Sequence, residues 1–382
     1  MERISICDGF VVQFDTSDPI IREIYKELSN HSISGSTDPD LTFRGREIDF
    51  SQDSGNHTEF DSISDTIVYR NKPSLSRHSL RDTIRRYIGL LGWSVEITPD
   101  NSALDVTISY DERIKTDSTP LEWLIRFVNQ SYIWRYQNLA KVILYNVIEP
   151  ICHAKLVQCG YGFIHASAVA RDDGVILFTG GGGAGKTSTM ESILTNENMA
   201  FVSDDLCLIS SSGRAYPYLK RVQLYPYNIS SASGSIADLD EIGSRLQWKI
   251  RKLWAGSDGV RRRIPPDKRY ENIIENGSRD IDAIVFIQRT DSDTINVKRI
   301  TSGELIRRST AVIIEEFREM WWRMLQSSAL GASQLDFVEF TSSTQDVYKS
   351  AFDSSDNYLV TVPHDADPDS IRTEIVSSVS AF

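Results

Sequence analysis

Residues 180–188 read Gly-Gly-Gly-Gly-Ala-Gly-Lys-Thr-Ser and follow directly on the apolar run Val175-Ile176-Leu177-Phe178. Few folds accept such a run, because a strand must enter, turn sharply and hand over to a helix. Glycine at Gly180, Gly181, Gly182, Gly183 and Gly185, with the small Ala184 between them, lets successive backbone N–H groups turn inward where a Cβ would obstruct them. A helix starting at Lys186 adds free N-terminal amides and the positive end of its dipole. Lys186 is then placed to reach outer phosphates, Thr187 to put its hydroxyl on a divalent cation, and Ser188 to extend the cradle. The plain alternative is a glycine-rich turn that binds nothing, and the register of Lys186 and Thr187 argues against it. The loop predicts a nucleoside triphosphate site.

The 382 residues exceed a typical single domain, so two domains are expected. A formal net charge of −12 argues against a broad nucleic-acid surface. The four cysteines, Cys7, Cys152, Cys159 and Cys207, form no C-x-x-C pair, which points to a reducing compartment rather than to disulfides or zinc. The start, Met1-Glu2-Arg3-Ile4-Ser5, lacks the apolar core of a signal peptide, and no window reads as a membrane span. A cytoplasmic protein with neither nucleic-acid nor membrane partners is expected. A homo-oligomer is compatible with the sequence, which does not set the oligomeric state.

The period of the apolar residues predicts a hairpin from Ile4–Cys7 and Val11–Phe14, then a helix from Asp18 to Leu28. Residues 29–65 turn to Ser, Asp, Gly and Thr and read as a long solvated loop with room for a short strand. Paired strands are expected at Val95–Ile97 and Val106–Ile108, and helices at 121–134 and 138–158, the latter kinked or divided by Pro150 and closed by Gly160. From Gly162 the pattern is α/β. Strands are expected at 163–169, 175–179, 200–203, 206–209, 222–224, 281–287, 337–340 and 359–362, with helices at 186–194, 236–248, 303–308, 311–327 and 368–377. The division predicted is an α+β accessory domain over 1–154 and a nucleotide-binding domain over 155–382.

Phe201-Val202-Ser203-Asp204-Asp205 is an apolar strand ending in two carboxylates, eighteen and nineteen residues after Lys186. An acid there is suited to hold Mg2+, and a second to take a proton from an attacking hydroxyl. A solvated turn is the plain alternative. His165 lies on an apolar run beside the loop, where it either fills the core or reaches the phosphates. Residues 249–269 collect Lys249, Arg251, Lys252, Arg261, Arg262, Arg263, Lys268 and Arg269, either as a loop over an anionic substrate or as a solvated basic segment. The tryptophans at 248, 254, 321 and 322 are expected to pack cores or anchor loops.

The order of His165-Ala166-Ser167-Ala168-Val169, the glycine loop and Ser203-Asp204-Asp205, followed by Tyr216-Pro217 through Leu224-Tyr225-Pro226, resembles the HPr kinase/phosphorylase family. It is most similar to the HPr-kinase-like serine kinases associated with peptide modification, over roughly residues 139–300. The resemblance implies an α/β core of the HPr kinase/phosphoenolpyruvate carboxykinase type, ATP and Mg2+, and transfer to a serine-type hydroxyl. It gives Asp204 as general base, Thr187 and Asp205 as metal ligands, and His165 at the transferring phosphate, with the two aspartates interchangeable. True HPr kinases carry a Glu-Ile-Arg-Gly-Leu-Gly-type segment where this chain has Tyr225-Pro226-Tyr227-Asn228-Ile229-Ser230, so HPr itself and the reverse reaction are not expected.

The expectation is therefore an ATP-dependent kinase acting on a peptide, protein or small-molecule acceptor, with Asp204, His165 and Lys186 in the chemistry. A nucleotide-binding or hydrolysing switch without an acceptor is the alternative.

Overall fold

The computed structural model describes residues 1–34, 37–48, 57–62, 64–71, 90–100, 102–112, 140–172, 174–224, 249, 253, 262–332 and 335–382. The fold is mixed α/β with several sheets. The chain divides into two compact units, one of Met1–Cys152, Leu239–Val260 and Glu319–Phe337, the other of His153–Asp238, Arg261–Arg318 and Val338–Phe382. A single boundary near residue 155 does not describe this interleaving, because contacts made by later segments leave no mark on composition.

The first unit is built on seven strands, β1 (Glu2–Cys7), β2 (Phe10–Phe14), β3 (Leu41–Glu47), β4 (His57–Asp61), β5 (Thr66–Asn71), β6 (Leu90–Asp100) and β7 (Ala103–Glu112). Their order is β1-β2-β3-β7-β6-β5-β4, with β3 parallel to both β2 and β7. The expected hairpin and the pairing of Val95 with Ile108 and Ile97 with Val106 are present. The region 29–65, expected as a loop with room for a short strand, supplies two: β3, which lies inside the sheet and buries Leu41 and Phe43, and β4. The apolar content of β3, Leu-Thr-Phe, is too brief to place a strand there in advance.

Helix α1 (Pro19–Glu27) buries Ile20, Ile21 and Ile24 and packs on β3. Asp18 starts it by accepting from the amides of Ile20 (2.9 Å) and Ile21 (3.0 Å), the usual service of an N-cap. Its other oxygen accepts from the Tyr110 hydroxyl at 2.7 Å. The carboxyl lies so close over Gly45 that a Cβ there would collide with it. Later in the chain, α5 (Arg318–Leu330) buries Met320, Trp321 and Met324, and Ser327 bonds Tyr69 at 2.7 Å. Trp321 sits edge-on to Phe337, whereas Trp322 is 60 % exposed and anchors no core.

Residues 140–158 are helical, in agreement with the apolar spacing, and the part from 149 is α2 (Glu149–Gln158). Pro150 lies inside the helical stretch, and the expected division falls just before it, where the helix changes type. A π stretch, Leu144–Ile148, precedes the proline, and the Glu149 amide donates five residues back to Leu144. A π turn absorbs the change of register that a missing proline N–H imposes. Gly160, with φ of 80°, follows the helix as a left-handed terminator.

The second unit carries β8 (Tyr161–Ile164), β9 (Ala166–Arg171), β10 (Gly174–Thr179), β11 (Ala200–Ser203), β12 (Cys207–Ser210), β13 (Arg214–Tyr216), β14 (Val222–Leu224), β15 (Arg262–Ile264), β16 (Arg279–Thr290), β17 (Asn296–Arg299) and β18 (Asp356–Pro363). The main ladder runs β11-β9-β10-β16-β13-β12-β8; β18 also pairs with β16 and carries β17, and β14 pairs with β15 separately. The run 163–169 is thus not one strand. It breaks at His165, and its halves lie at distant places along one ladder. Only a strongly curled sheet brings them within one residue.

Helices α3 (Lys186–Asn196) and α7 (Pro368–Ser378) pack together over a core that includes Val169, Phe178, Met190, Ile193, Phe201, Val285, Val360 and Ile375. Burying each large apolar side chain contributes ~1.5–3 kcal/mol. The unit also holds α4 (Ser302–Glu316) and α6 (Phe337–Phe352). The run 337–340, expected as a strand, begins α6, whose buried Phe340, Thr344, Val347, Tyr348 and Ala351 keep helical spacing. A run of four residues, Phe337-Val338-Glu339-Phe340, is too short to discriminate period 2 from period 3.6. The helices expected at 303–308 and 311–327 meet at Phe317 as α4 and α5. Those expected at 121–134 and 236–248 lie outside the described residues. Among the described residues no helix is long and apolar enough to cross a membrane.

Candidate functional site

Strand β10 runs into the glycine loop and the loop into α3, as the spacing predicts. Three loop glycines have positive φ: Gly180 (149°), Gly183 (75°) and Gly185 (103°). A Cβ at Gly180 would also collide with the Ile287 carbonyl of the neighbouring β16, so glycine is required there twice over. Beside Gly181, Gly182 and Gly183 a Cβ would meet nothing within 4 Å, which leaves open space over the loop. Ala184 is buried, and Ser188 is half-buried in the first turn of α3. The N-cap of α3 is Gly185, which offers no side chain to the first helix amides.

Lys186 is buried and donates to the carbonyls of Gly180 (2.8 Å) and Gly181 (3.0 Å). Burial pushes its ammonium down from the ordinary lysine range, against the opposing pull of Asp205, Asp204 and Glu316. Thr187 donates to Asp204 Oδ1 at 2.8 Å, and the buried Ser167 of β9 donates to the same oxygen at 2.6 Å. Burial raises the Asp204 pKa despite these two hydroxyls.

Asp205 turns the other way. Its backbone is left-handed, with φ of 73°, a conformation aspartate tolerates better than most residues at some cost in strain. Lys220, with a side chain only 2 % exposed, stands 2.8 Å from its Oδ2. Burial would raise the Asp205 pKa, but Lys220, His165 and Lys186 outweigh it and hold the carboxyl well below its ordinary range.

His165 occupies the break between β8 and β9. Its Nδ1 faces Asp205 Oδ1 at 3.7 Å and its Nε2 faces Glu316 Oε2 at 3.9 Å. Nδ1 is buried without a hydrogen-bond partner. The satisfied core histidine of this unit is His153, whose Nδ1 accepts from the Phe163 amide at 2.8 Å while Nε2 meets Thr344 at 3.2 Å. Burial lowers His165 to about 4 and His153 to about 3. Between pH ~4 and ~6.5 the unfolded chain therefore binds protons at these positions that the folded chain does not, so stability rises with pH. Asp204 and Glu316, raised by burial, oppose this slope, and His31, also lowered to about 4, adds to it. The test is therefore the difference: urea unfolding across that window should show a slope smaller in His165→Gln than in the native protein, and equal slopes would contradict neutral burial of His165.

The structure thus brings the loop, both aspartates and His165 together, and adds Lys220, Ser167 and Glu316 to them. Ser167 lies inside the run His165–Val169; the other two are isolated in sequence. His165, Asp205 and Glu316 offer ligand atoms within 4.8 Å of one another, although a different imidazole nitrogen faces each carboxylate and Lys220 and Lys186 already supply positive charge. Thr187 and Asp204 present two hard oxygens at the start of α3, a donor set suited to Mg2+. Of the basic segment, Arg269 pairs with Glu191 of α3 at 3.0 Å, and Arg251, Lys252 and Arg261 lie outside the described residues, as do 225–230.

Lys220→Met is expected to cost ~1–3 kcal/mol, because the half-buried Asp205 would be left without its nearest cation. Urea unfolding measures the loss, and adding Asp205→Asn should recover much of it. No recovery would mean that Lys220 acts through packing.

No family model matches the chain, and none of the curated proteins matches it in sequence.

Proposed function

We propose that the chain is an ATP-dependent phosphotransferase of the HPr-kinase-like type, moving the γ-phosphoryl group to a serine-type hydroxyl on a peptide, protein or small molecule. The observation that carries this reading is Asp204 accepting from Thr187 at the start of the loop helix, beside an Asp205 kept ionised by Lys220. A glycine loop alone suits many anions; an acid joined to the loop threonine suits a metal-bound triphosphate.

In this reading the loop amides and Lys186 bind the phosphates, and Thr187 with Asp204 would hold Mg2+. The bound ion supplies neutralisation of phosphate charge. Asp205, facing His165, is left to accept the proton of the attacking hydroxyl. This is the interchange of the two aspartates that the sequence allows, favoured by the bond from Thr187. Little basicity is needed, since positioning and charge neutralisation supply most of the rate in phosphoryl transfer.

The test is γ-labelled ATP with Mg2+, the full chain and size-fractionated lysate, with Asp204→Asn alongside. Label entering a peptide, protein or small-molecule fraction, and lost in the variant, is the expected result. Label released only as inorganic phosphate, at a rate indifferent to lysate, would replace the kinase by a nucleotide switch.

A further inference from the structure

Arg289 lies one residue before the end of β16, the strand beside β10, and its partners are backbone carbonyls. Nε donates to Gly183 at 3.3 Å, and Nη1 donates to Pro363 and His364 at 2.7 Å each. Pro363 ends β18, so one side chain joins the tip of the glycine loop to the end of a core strand. The same guanidinium closes over Gly185, where a Cβ would lie 3.3 Å from Nη2.

The peptide unit after Gly183 is therefore held at both ends. Its carbonyl is drawn outward to Arg289, while its N–H, that of Ala184, donates inward to Gly181 at 3.2 Å. The Gly181 carbonyl also receives Lys186. A run of glycines left to itself samples many backbone states, and ordering it on binding would consume affinity. Cross-bracing the tip in advance removes that cost.

We infer that Arg289 is a positioning residue that braces the glycine loop against the end of β18 and so sets its affinity for polyphosphate. The inference rests on the phosphate-site reading of the loop. It requires the three-carbonyl bridge, which the planar fork of an arginine makes and a lysine ammonium cannot reproduce.

The experiment is calorimetric titration of the full chain with inorganic tripolyphosphate and with ATP, for the native protein, Arg289→Met and Arg289→Lys, with thermal unfolding as a control. Both variants are expected to bind either ligand about tenfold more weakly, the scale of one or two lost hydrogen bonds to a charged group. Where turnover is measured, KM for ATP should rise with little change in the rate at saturation, a split that general loosening of the fold would not give. Arg289→Met binding within twofold of the native protein would overturn the brace, as would full affinity in Arg289→Lys, which would make charge alone sufficient. If Arg289→Met fails to fold, the lysine variant decides. A native protein that binds neither ligand would overturn the phosphate-site reading itself.

Discussion

Asp204→Asn is expected to reduce phosphoryl transfer by ~10³-fold or more, the scale seen when a charged group aimed at the transition state is removed. The amide keeps the shape, and its oxygen still accepts from Thr187 or Ser167, so the fold should survive. The negative charge that would anchor Mg2+ is lost. Nucleotide affinity without magnesium should therefore stay near native, while the gain in affinity that magnesium brings should vanish. Calorimetry with and without the ion, beside labelled transfer, separates these effects. If Asp205→Asn removes the magnesium gain and Asp204→Asn does not, the two carboxylates exchange roles. Near-native transfer in Asp204→Asn would leave that residue outside the chemistry.

Lys186→Ala should abolish measurable transfer and most affinity for triphosphate. The ammonium rests on two loop carbonyls and faces Asp205, Asp204 and Glu316, so its removal takes away the cation that the proposed reading puts on the phosphates. It also leaves three acids with less positive charge among them. Burial and mutual repulsion already raise Glu316, and this substitution should raise it further. Loss of transfer with a cooperative unfolding transition retained is the expected outcome. Transfer at a tenth of the native rate or better would show that the loop does not carry the reaction.

Local chemistry explains what was legible beforehand. The glycine loop must be contiguous to work, and Asp204 and Asp205 must follow a strand, so both announce themselves in the chain. Lys220 and Arg289 do not. Each takes its meaning from a partner far away in sequence, Asp205 in one case and the carbonyls of Gly183 and Pro363 in the other. Glu316 closes α4, where a surface carboxylate is unremarkable until the fold sets it against His165. The errors in secondary structure have the same origin. Tertiary pairing splits the run 163–169 at His165, and the short run Phe337-Val338-Glu339-Phe340 hides the first turn of a sixteen-residue helix.

The interleaving of the two units limits how the chain can be cut. A fragment starting at His153 contains every residue of the candidate site, yet it also retains Glu319–Phe337. There Ser327 would lack Tyr69, and the side chains of Met320, Trp321 and Met324 would be separated from the unit in which they are buried. Exposed apolar surface of this kind promotes aggregation. The half of the chain that carries the candidate site, as counted along the sequence, is therefore not one compact unit by itself, and a fragment starting at His153 is expected to be less soluble than the full chain.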